Sequence, residues 1–337
     1  MNDATLLALA AYIAAQAGAR GALVEHAERL SGGAIQENWL LQVRVDGGPH
    51  DGPLALVLRT DSPSGVSASH SRAQEFALLT LAWQCGVTVP EPLWCCADSA
   101  VIGRPFCLMR RIAGTAAGHR LVRKPQYGGD RAELARRLGS ELARIHAIRP
   151  PQAALDFLPP PAASPALALV ARARAWLDTQ DMPRPVLEWG LRWLERHAPA
   201  SVPPVLCHRD FRTGNYMVDG EGLTGILDWE FAGWSDPLED IGWFCAKCWR
   251  FGADLQEAGG IGPREAFYRG YEAEAGHAIA REQVRYWEVM AHMNWAVIAL
   301  QQAQRHLSGT ESSLLLALTG HIVPELEYEI LTMTREN

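Results

Sequence analysis

Lysine is almost missing from this chain. Lys124 and Lys247 are the only two among 31 basic residues, and none precedes position 124. A cationic role in the first third therefore falls to arginine, whose planar fork stays charged and hydrogen-bonds in two directions at once. A net basic surplus is missing too. The formal charge is −7, which excludes a general nucleic-acid binder, since displacing phosphate counterions needs excess Lys and Arg. No apolar run is long enough to cross a bilayer. Repeats, low-complexity tracts and long linkers are absent. The seven cysteines are odd in number and scattered, which does not resemble a disulfide framework. Cys95-Cys96 is a vicinal pair. Cys245-x-x-Cys248 has no second pair at a zinc spacing and, flanked by Trp243, Phe244 and Trp249, reads as helix packing.

What is present is ordinary for a globular chain. Of 337 residues 48% are apolar and 20% charged, enough to bury one large core or two medium ones. The apolar stretch from Leu6 to Ala15 lacks a basic leader and follows Asp3. Leu6, Leu9 and Ile13 fall on one helical stripe, so the segment reads as an amphipathic helix and the protein as cytoplasmic.

Periodicity divides the chain. Trp39–Val45 and Leu54–Arg59 read as strands around a Gly/Pro-rich turn, a helix runs from about Ser67 to Gln84 with Phe76, Leu79 and Trp83 on one stripe, and short strands follow at Leu93–Ala97 and Phe106–Arg110. Helical patterns dominate afterwards. They are expected at Leu134–Ile145, Pro165–Thr179, Pro185–His197, Pro237–Arg250, Pro263–Ala275, Glu282–His306 and Thr310–Thr332, interrupted by a strand and hairpin from Val205 to Asp228. The expected architecture is α+β: a small antiparallel-sheet lobe over residues 1–112 and a larger helical lobe over 113–337, the bilobal plan of protein kinases.

The segment carrying most chemistry is Val205-Leu-Cys-His-Arg-Asp-Phe-Arg-Thr-Gly-Asn215, followed by Asp228. His208-x-Asp210-x-x-x-x-Asn215 has the catalytic-loop spacing of kinases. Asp210 is the candidate base that orients a hydroxyl, and Asn215 and Asp228 are candidate hard-oxygen ligands for Mg²⁺. Asp236, before a proline at a helix start, suits an N-cap, and Asp240 one turn on is expected to be buried and to brace the loop backbone. In the first lobe Ser31, Gly32 and Gly33 offer backbone N–H groups that could cover phosphates. Strand alternation puts Ala55, Val57 and Arg59 on one face, with Val57 placed to pack on a purine and Arg59 to meet its phosphates. Glu75, sixteen positions on, is the expected partner of Arg59.

These residues resemble the aminoglycoside phosphotransferase and choline kinase-like family. The resemblance is carried by Leu30-Ser-Gly-Gly-Ala34, Leu56-Val-Leu-Arg59, Glu75, His208-Arg-Asp210-x-x-x-x-Asn215, Ile226-Leu-Asp228-Trp-Glu230 and Asp236-Pro-Leu-Glu-Asp240-Ile-Gly242. It is similar above all to the generic branch that includes the kinase-like domain of some acyl-CoA dehydrogenases. The resemblance implies transfer of the γ-phosphoryl group of ATP or GTP, with Mg²⁺, to the hydroxyl of a small molecule. Two departures stand out: Arg59 where kinases carry Lys, and Arg209 where most relatives carry Gly. Around the expected acceptor region His119, Arg120, Arg123, Lys124, Lys247 and Arg250 mix with Glu272 and Glu274, which favours a neutral or anionic acceptor over a polycation. The alternative is a nucleotide-binding pseudokinase acting as a scaffold; Arg59 favours it, and the intact Asp210, Asn215 and Asp228 oppose it.

Overall fold

The computed structural model describes residues 1–30, 36–61 and 69–335, and the chain forms two compact units. The first comprises Met1–Gly114 with two later segments, Ala153–Phe157 and Thr224–Phe231; the second comprises Thr115–Gln152, Leu158–Leu223 and Ala232–Asn337.

In the first unit, α1 (Asp3–Gln16) precedes strands β1 (Gly21–Arg29), β2 (Gln36–Asp46) and β3 (Gly52–Asp61), then α2 (Arg72–Gln84), β4 (Pro92–Cys96) and β5 (Phe106–Arg110). The strands form one antiparallel sheet in the order β1-β2-β3-β5-β4. Alternation assigns its faces. Leu41, Val43 and Val45 of β2 and Leu54, Leu56 and Leu58 of β3 point into a core closed by Leu9 and Ile13 of α1. Ala55, Val57 and Arg59 occupy the half-buried opposite face. The first strand, β1, shows no apolar–polar alternation in the sequence: Leu23 and Val24 are adjacent, and so are Glu25 and His26, and Glu28 and Arg29.

α2 opens with a capping box, Ser71 and Gln74, and buries Arg72, Glu75, Leu78, Leu79 and Ala82. Its stripe is therefore rotated from the expected one: Trp83 is exposed, and the carboxylate of Glu75 faces inward. The segment Thr224–Phe231 joins this unit through main-chain and side-chain bonds. Ile226 N–H donates to Thr88 O (2.9 Å), Thr224 Oγ1 to Ala113 O (2.7 Å), and His70 N–H to Glu230 O (2.9 Å).

The second unit holds α3 (Gly118–Arg123), α4 (Arg131–His146), α5 (Pro165–Leu177), α6 (Pro185–Arg196), β6 (Val205–Cys207) and β7 (Tyr216–Val218). After β8 (Leu223–Ile226), which runs into the first unit's segment, come β9 (Gly233–Ser235), α7 (Pro237–Cys245), α8 (Arg264–Ala275), α9 (Arg281–Leu307), α10 (Leu314–Gly320) and α11 (Val323–Thr334). The helix expected over Thr310–Thr332 is broken at His321–Ile322, because Pro324 cannot continue a preceding helix and instead opens α11. Trp189 of α6 is 55% exposed and uses its indole N–H on Thr334 Oγ1 (2.9 Å).

Two glycines let α4 and α8 approach to backbone contact. A Cβ on Gly139 would collide with the Phe267 carbonyl oxygen, and one on Gly270 with that of Arg136. Ser140 Oγ bonds Gly270 O across the same contact (3.1 Å). Gly139→Ala or Gly270→Ala is expected to exceed the roughly 1–3 kcal/mol of ordinary overpacking, because main chain cannot give way as a side chain does. Thermal unfolding reads this directly, and a midpoint equal to that of the wild type would contradict it.

Candidate active site

In the second unit, β6 pairs antiparallel with β9, all three of its residues are buried, and the loop that follows carries Asp210. Its shape is set from α7. Asp236 caps this helix by accepting from Leu238 N–H (2.8 Å). Asp240, one turn later and fully buried, accepts the backbone N–H groups of His208 (2.6 Å) and Arg209 (2.7 Å). His146 Nε2 lies 3.2 Å from the same carboxylate, and its Nδ1 is 2.8 Å from Tyr271 Oη. His146, Cys207 and Asp240 cluster closely enough to suggest a metal centre. The hydrogen bonds argue otherwise: both Asp240 oxygens already serve the loop, so the cluster is a brace.

Arg209 is thereby held at φ 61°, the left-handed region that non-glycine residues avoid. Its guanidinium donates to Trp234 O (2.9 Å) and lies 3.7 Å from Glu239.

Asp210 itself is tightly held. Oδ1 accepts from Arg212 Nε (2.9 Å) and from the Trp243 indole N–H (3.0 Å). Asn215 Nδ2 donates to the Asp210 main-chain oxygen (2.9 Å) and to its carboxylate Oδ2. The structure thus brings Asp210 and Asn215 together. It adds two residues the sequence reading did not assign to the site, Arg212 and Trp243. Position 212 lies inside the motif and could have been noticed as a cation two residues from the base. Trp243 carried no such signal.

The first unit gathers a second cluster. Arg59 reaches Glu75 through Nη2 (2.8 Å) and Nε (3.1 Å), and Asp228 through Nη1 (2.8 Å). Arg72 also binds Glu75, and bridges to Asp61 (2.7 Å). Asp228 sits at φ 62°, a second left-handed residue. These groups border a recess lined by Arg59, Glu75, Leu79, Met109, Asp228 and Trp229. Val57 stands two residues from Arg59 on the same half-buried face of β3. Ser31, Gly32 and Gly33 lie outside the described residues.

Taken one at a time, the candidate ligands offer hard oxygen. In the second unit both amide hydrogens of Asn215 are directed at Asp210, which leaves its Oδ1 for a ligand role. In the first unit Asp228 is a carboxylate with Oδ1 on Arg59. Zinc chemistry at Cys245 and Cys248 is disfavoured by contrast. Cys245 is buried and Cys248 half-buried, and burial pushes both thiols up, that of Cys245 to about 12. The cysteines also hold a correction: register places Cys95 opposite Cys107 on β4 and β5, and the two form a disulfide. Four residues thought to flank the acceptor are engaged elsewhere. Lys247 pairs with Glu329 (2.6 Å), Arg250 donates to Cys245 O (2.7 Å), Glu272 faces Arg281 (3.4 Å), and Glu274 faces Arg144 (3.0 Å).

Glu230, buried beside Arg59, has its pKa pushed up to about 7: burial raises it, Arg59 opposes, and Asp228 and Glu75 add to the rise. A carboxyl raised in the fold from 4.5 stabilises fully below that value and loses the contribution as pH climbs through 7. Glu230→Gln should therefore gain melting temperature on the wild type between pH 5 and pH 8, read by parallel thermal scans; a constant offset would refute the assignment. At Arg209, Gly and Ala both lose the side-chain bonds, but only Ala keeps the left-handed strain. Arg209→Gly is expected to be more stable than Arg209→Ala by about 1 kcal/mol in denaturant titration.

Comparison with known proteins bears on the family and the fold. A family model described as "Phosphotransferase enzyme family" matches residues 26–287. Acyl-CoA dehydrogenase family member 10 of Mus musculus is 28% identical over 198 residues, 56% of this chain and 18% of that protein. Homoserine kinase of Beijerinckia indica is 30% identical over 199 residues, 56% of this chain and 55% of that one. The chain thus spans well under two thirds of either relative. Among solved structures, the aminoglycoside phosphotransferase APH(4)-Ia, in a ternary complex with ADP and hygromycin B, superposes with a TM-score of 0.60 at 15% identity, covering 98% of this chain and 100% of that one. That likeness identifies the α+β, kinase-like fold. With the family model matching most of its length, the chain belongs to the phosphotransferase enzyme family.

Proposed function

We propose that this protein is a small-molecule kinase that transfers the γ-phosphoryl group of ATP or GTP to a hydroxyl of a small metabolite. The observation that carries the reading is the state of Asp210: a carboxylate 16% exposed and gripped by three side-chain donors, in the loop whose spacing belongs to phosphotransferases. In this reading Asp210 orients the acceptor hydroxyl and takes its proton. The acceptor oxygen bonds to the γ-phosphorus, the bond to the bridging oxygen breaks, and the nucleoside diphosphate leaves. Because the transition state is loose, positioning and charge matter more than basicity.

Asn215 and Asp228 would hold Mg²⁺, which when bound supplies charge neutralisation of the phosphates. Arg59, kept in place by Glu75, binds phosphate oxygens; Val57 packs on the purine; Ser31, Gly32 and Gly33 cover the phosphates. Residues 1–112 act as the nucleotide lobe and 113–337 as the catalytic lobe of a cytoplasmic enzyme. The ADP held by the APH(4)-Ia structure supports a nucleotide, and the name of homoserine kinase supports a small hydroxylated acceptor. Arg212 beside the base disfavours a polycationic acceptor, so a neutral or anionic one is the better candidate. No helix among the described residues is long and apolar enough to cross a membrane.

The test is a metabolite-library screen with γ-labelled ATP and GTP, comparing wild type with Asp210→Asn. Transfer is expected from the wild type and should fall by about 10²–10⁴-fold in the variant, with nucleotide binding retained. Nucleotide binding without transfer to any acceptor would favour the scaffold instead.

A further inference from the structure

We propose that Trp243 is a positioning residue that decides which oxygen of Asp210 meets the acceptor hydroxyl. The proposal rests on the kinase reading and deepens it. Asp240 and Trp243 stand three positions apart on α7, hence on one face of that helix. Asp240 fixes the loop main chain at His208 and Arg209, and the indole N–H of Trp243 fixes the Asp210 carboxylate at 3.0 Å. A single helix thus sets both the backbone and the reactive side chain. Indole donates one hydrogen bond and accepts none, so its contribution is orientation alone.

A count of hydrogen-bond positions gives the consequence. An ionised carboxylate has about four lone-pair sites. Trp243 Nε1 and Arg212 Nε occupy the two on Oδ1, and Asn215 Nδ2 occupies one on Oδ2. Among the described residues, the position left over is on Oδ2. The acceptor hydroxyl is directed there, and there its proton is delivered as its oxygen bonds to phosphorus. Without the indole a second position opens on Oδ1, and the carboxylate can turn.

The indole is itself immobilised. Its ring lies 5.1 Å from that of Trp249, which lies 4.8 Å from Trp295, and the Arg212 guanidinium stands 4.5 Å over Trp249. Gly242 seats α7 against α9, where a Cβ would come within 2.6 Å of the Trp287 carbonyl carbon. Packing alone does not require the bond to Asp210. Trp249 and Trp287 are buried in the same unit with their indole N–H groups unpartnered among the described residues.

The experiment uses Trp243→Phe, which keeps an aromatic ring and removes the N–H, and Trp243→His, which restores a ring donor. The first readout is the ¹⁵N-indole spectrum of the full chain, with the Trp243 resonance identified by its loss in Trp243→Phe. Asp210→Ala is expected to move that resonance. The second is turnover of γ-labelled ATP with Mg²⁺ and water as acceptor. Trp243→Phe should lower kcat about ten-fold with KM for ATP within two-fold, and Trp243→His should recover part of the loss. Equal impairment by Phe and His, a kcat unchanged in Trp243→Phe, or an indole signal indifferent to Asp210→Ala would each overturn the proposal. A wild type that turns over no nucleotide, either with water or with any acceptor of the metabolite library, would overturn it through the kinase reading, and an intact indole response would show that the contact itself was not at fault.

Discussion

The buried carboxylate of Asp240 is the interaction on which the second unit's candidate site depends. It collects two main-chain N–H groups from adjacent residues, at 2.6 and 2.7 Å, and those charge-assisted bonds force the chain through a left-handed turn at Arg209. Such a turn at a non-glycine residue costs on the order of 1–3 kcal/mol and survives only where its surroundings over-determine it. His146, with Tyr271 behind it, supplies the carboxylate's remaining neighbour. Loss of Asp240 would leave buried N–H groups without an acceptor, a larger penalty than the bonds themselves contribute.

Glu75 has the corresponding place in the first unit. Two guanidinium groups, Arg59 and Arg72, converge on it, and the third nitrogen of Arg59 reaches Asp228. An ammonium is a point charge, whereas the fork of an arginine faces two carboxylates with separate nitrogens. The near-absence of lysine thus has a local structural counterpart. Arg59 ties α2 to the Asp228 segment in one planar group, and it stands opposite Cys107, whose disulfide to Cys95 secures the neighbouring strand.

The sequence made some of this legible and not the rest, for physical reasons. Asp210 and Asn215 meet because five residues of one loop fix their geometry, so their spacing alone was informative. Asp236 and Asp240 follow from cap chemistry and one helical turn. The pairing of Arg59 with Glu75 could be anticipated from strand alternation. Trp243 could not: a tryptophan on an apolar helix reads as core, and its bond to Asp210 exists only because Gly242 lets α7 settle on α9. The same holds for Gly139 and Gly270, whose need for a missing Cβ arises between helices over a hundred positions apart. The Cys95–Cys107 bridge depended on strand register, which composition does not encode. The exposure of Trp189 and Trp83 depended on how far each helix is rotated.

Asp240 and Asp210 also show what separates a bracing acid from the acid proposed as the base. Hydrogen-bond number does not: each carboxylate has three nitrogen neighbours, His208, Arg209 and His146 for the first, Arg212, Trp243 and Asn215 for the second. The difference lies in access and in the kind of donor. Asp240 is wholly enclosed and receives main-chain groups, which cannot move without unfolding the loop. Asp210 keeps 16% of its side chain exposed and receives only side-chain donors at its carboxylate, each able to adjust by a torsion. In the proposed role, a carboxylate that accepts a proton and returns it needs that tolerance, together with a rigid frame that limits it. α7 supplies the frame at Asp240 and the limit at Trp243.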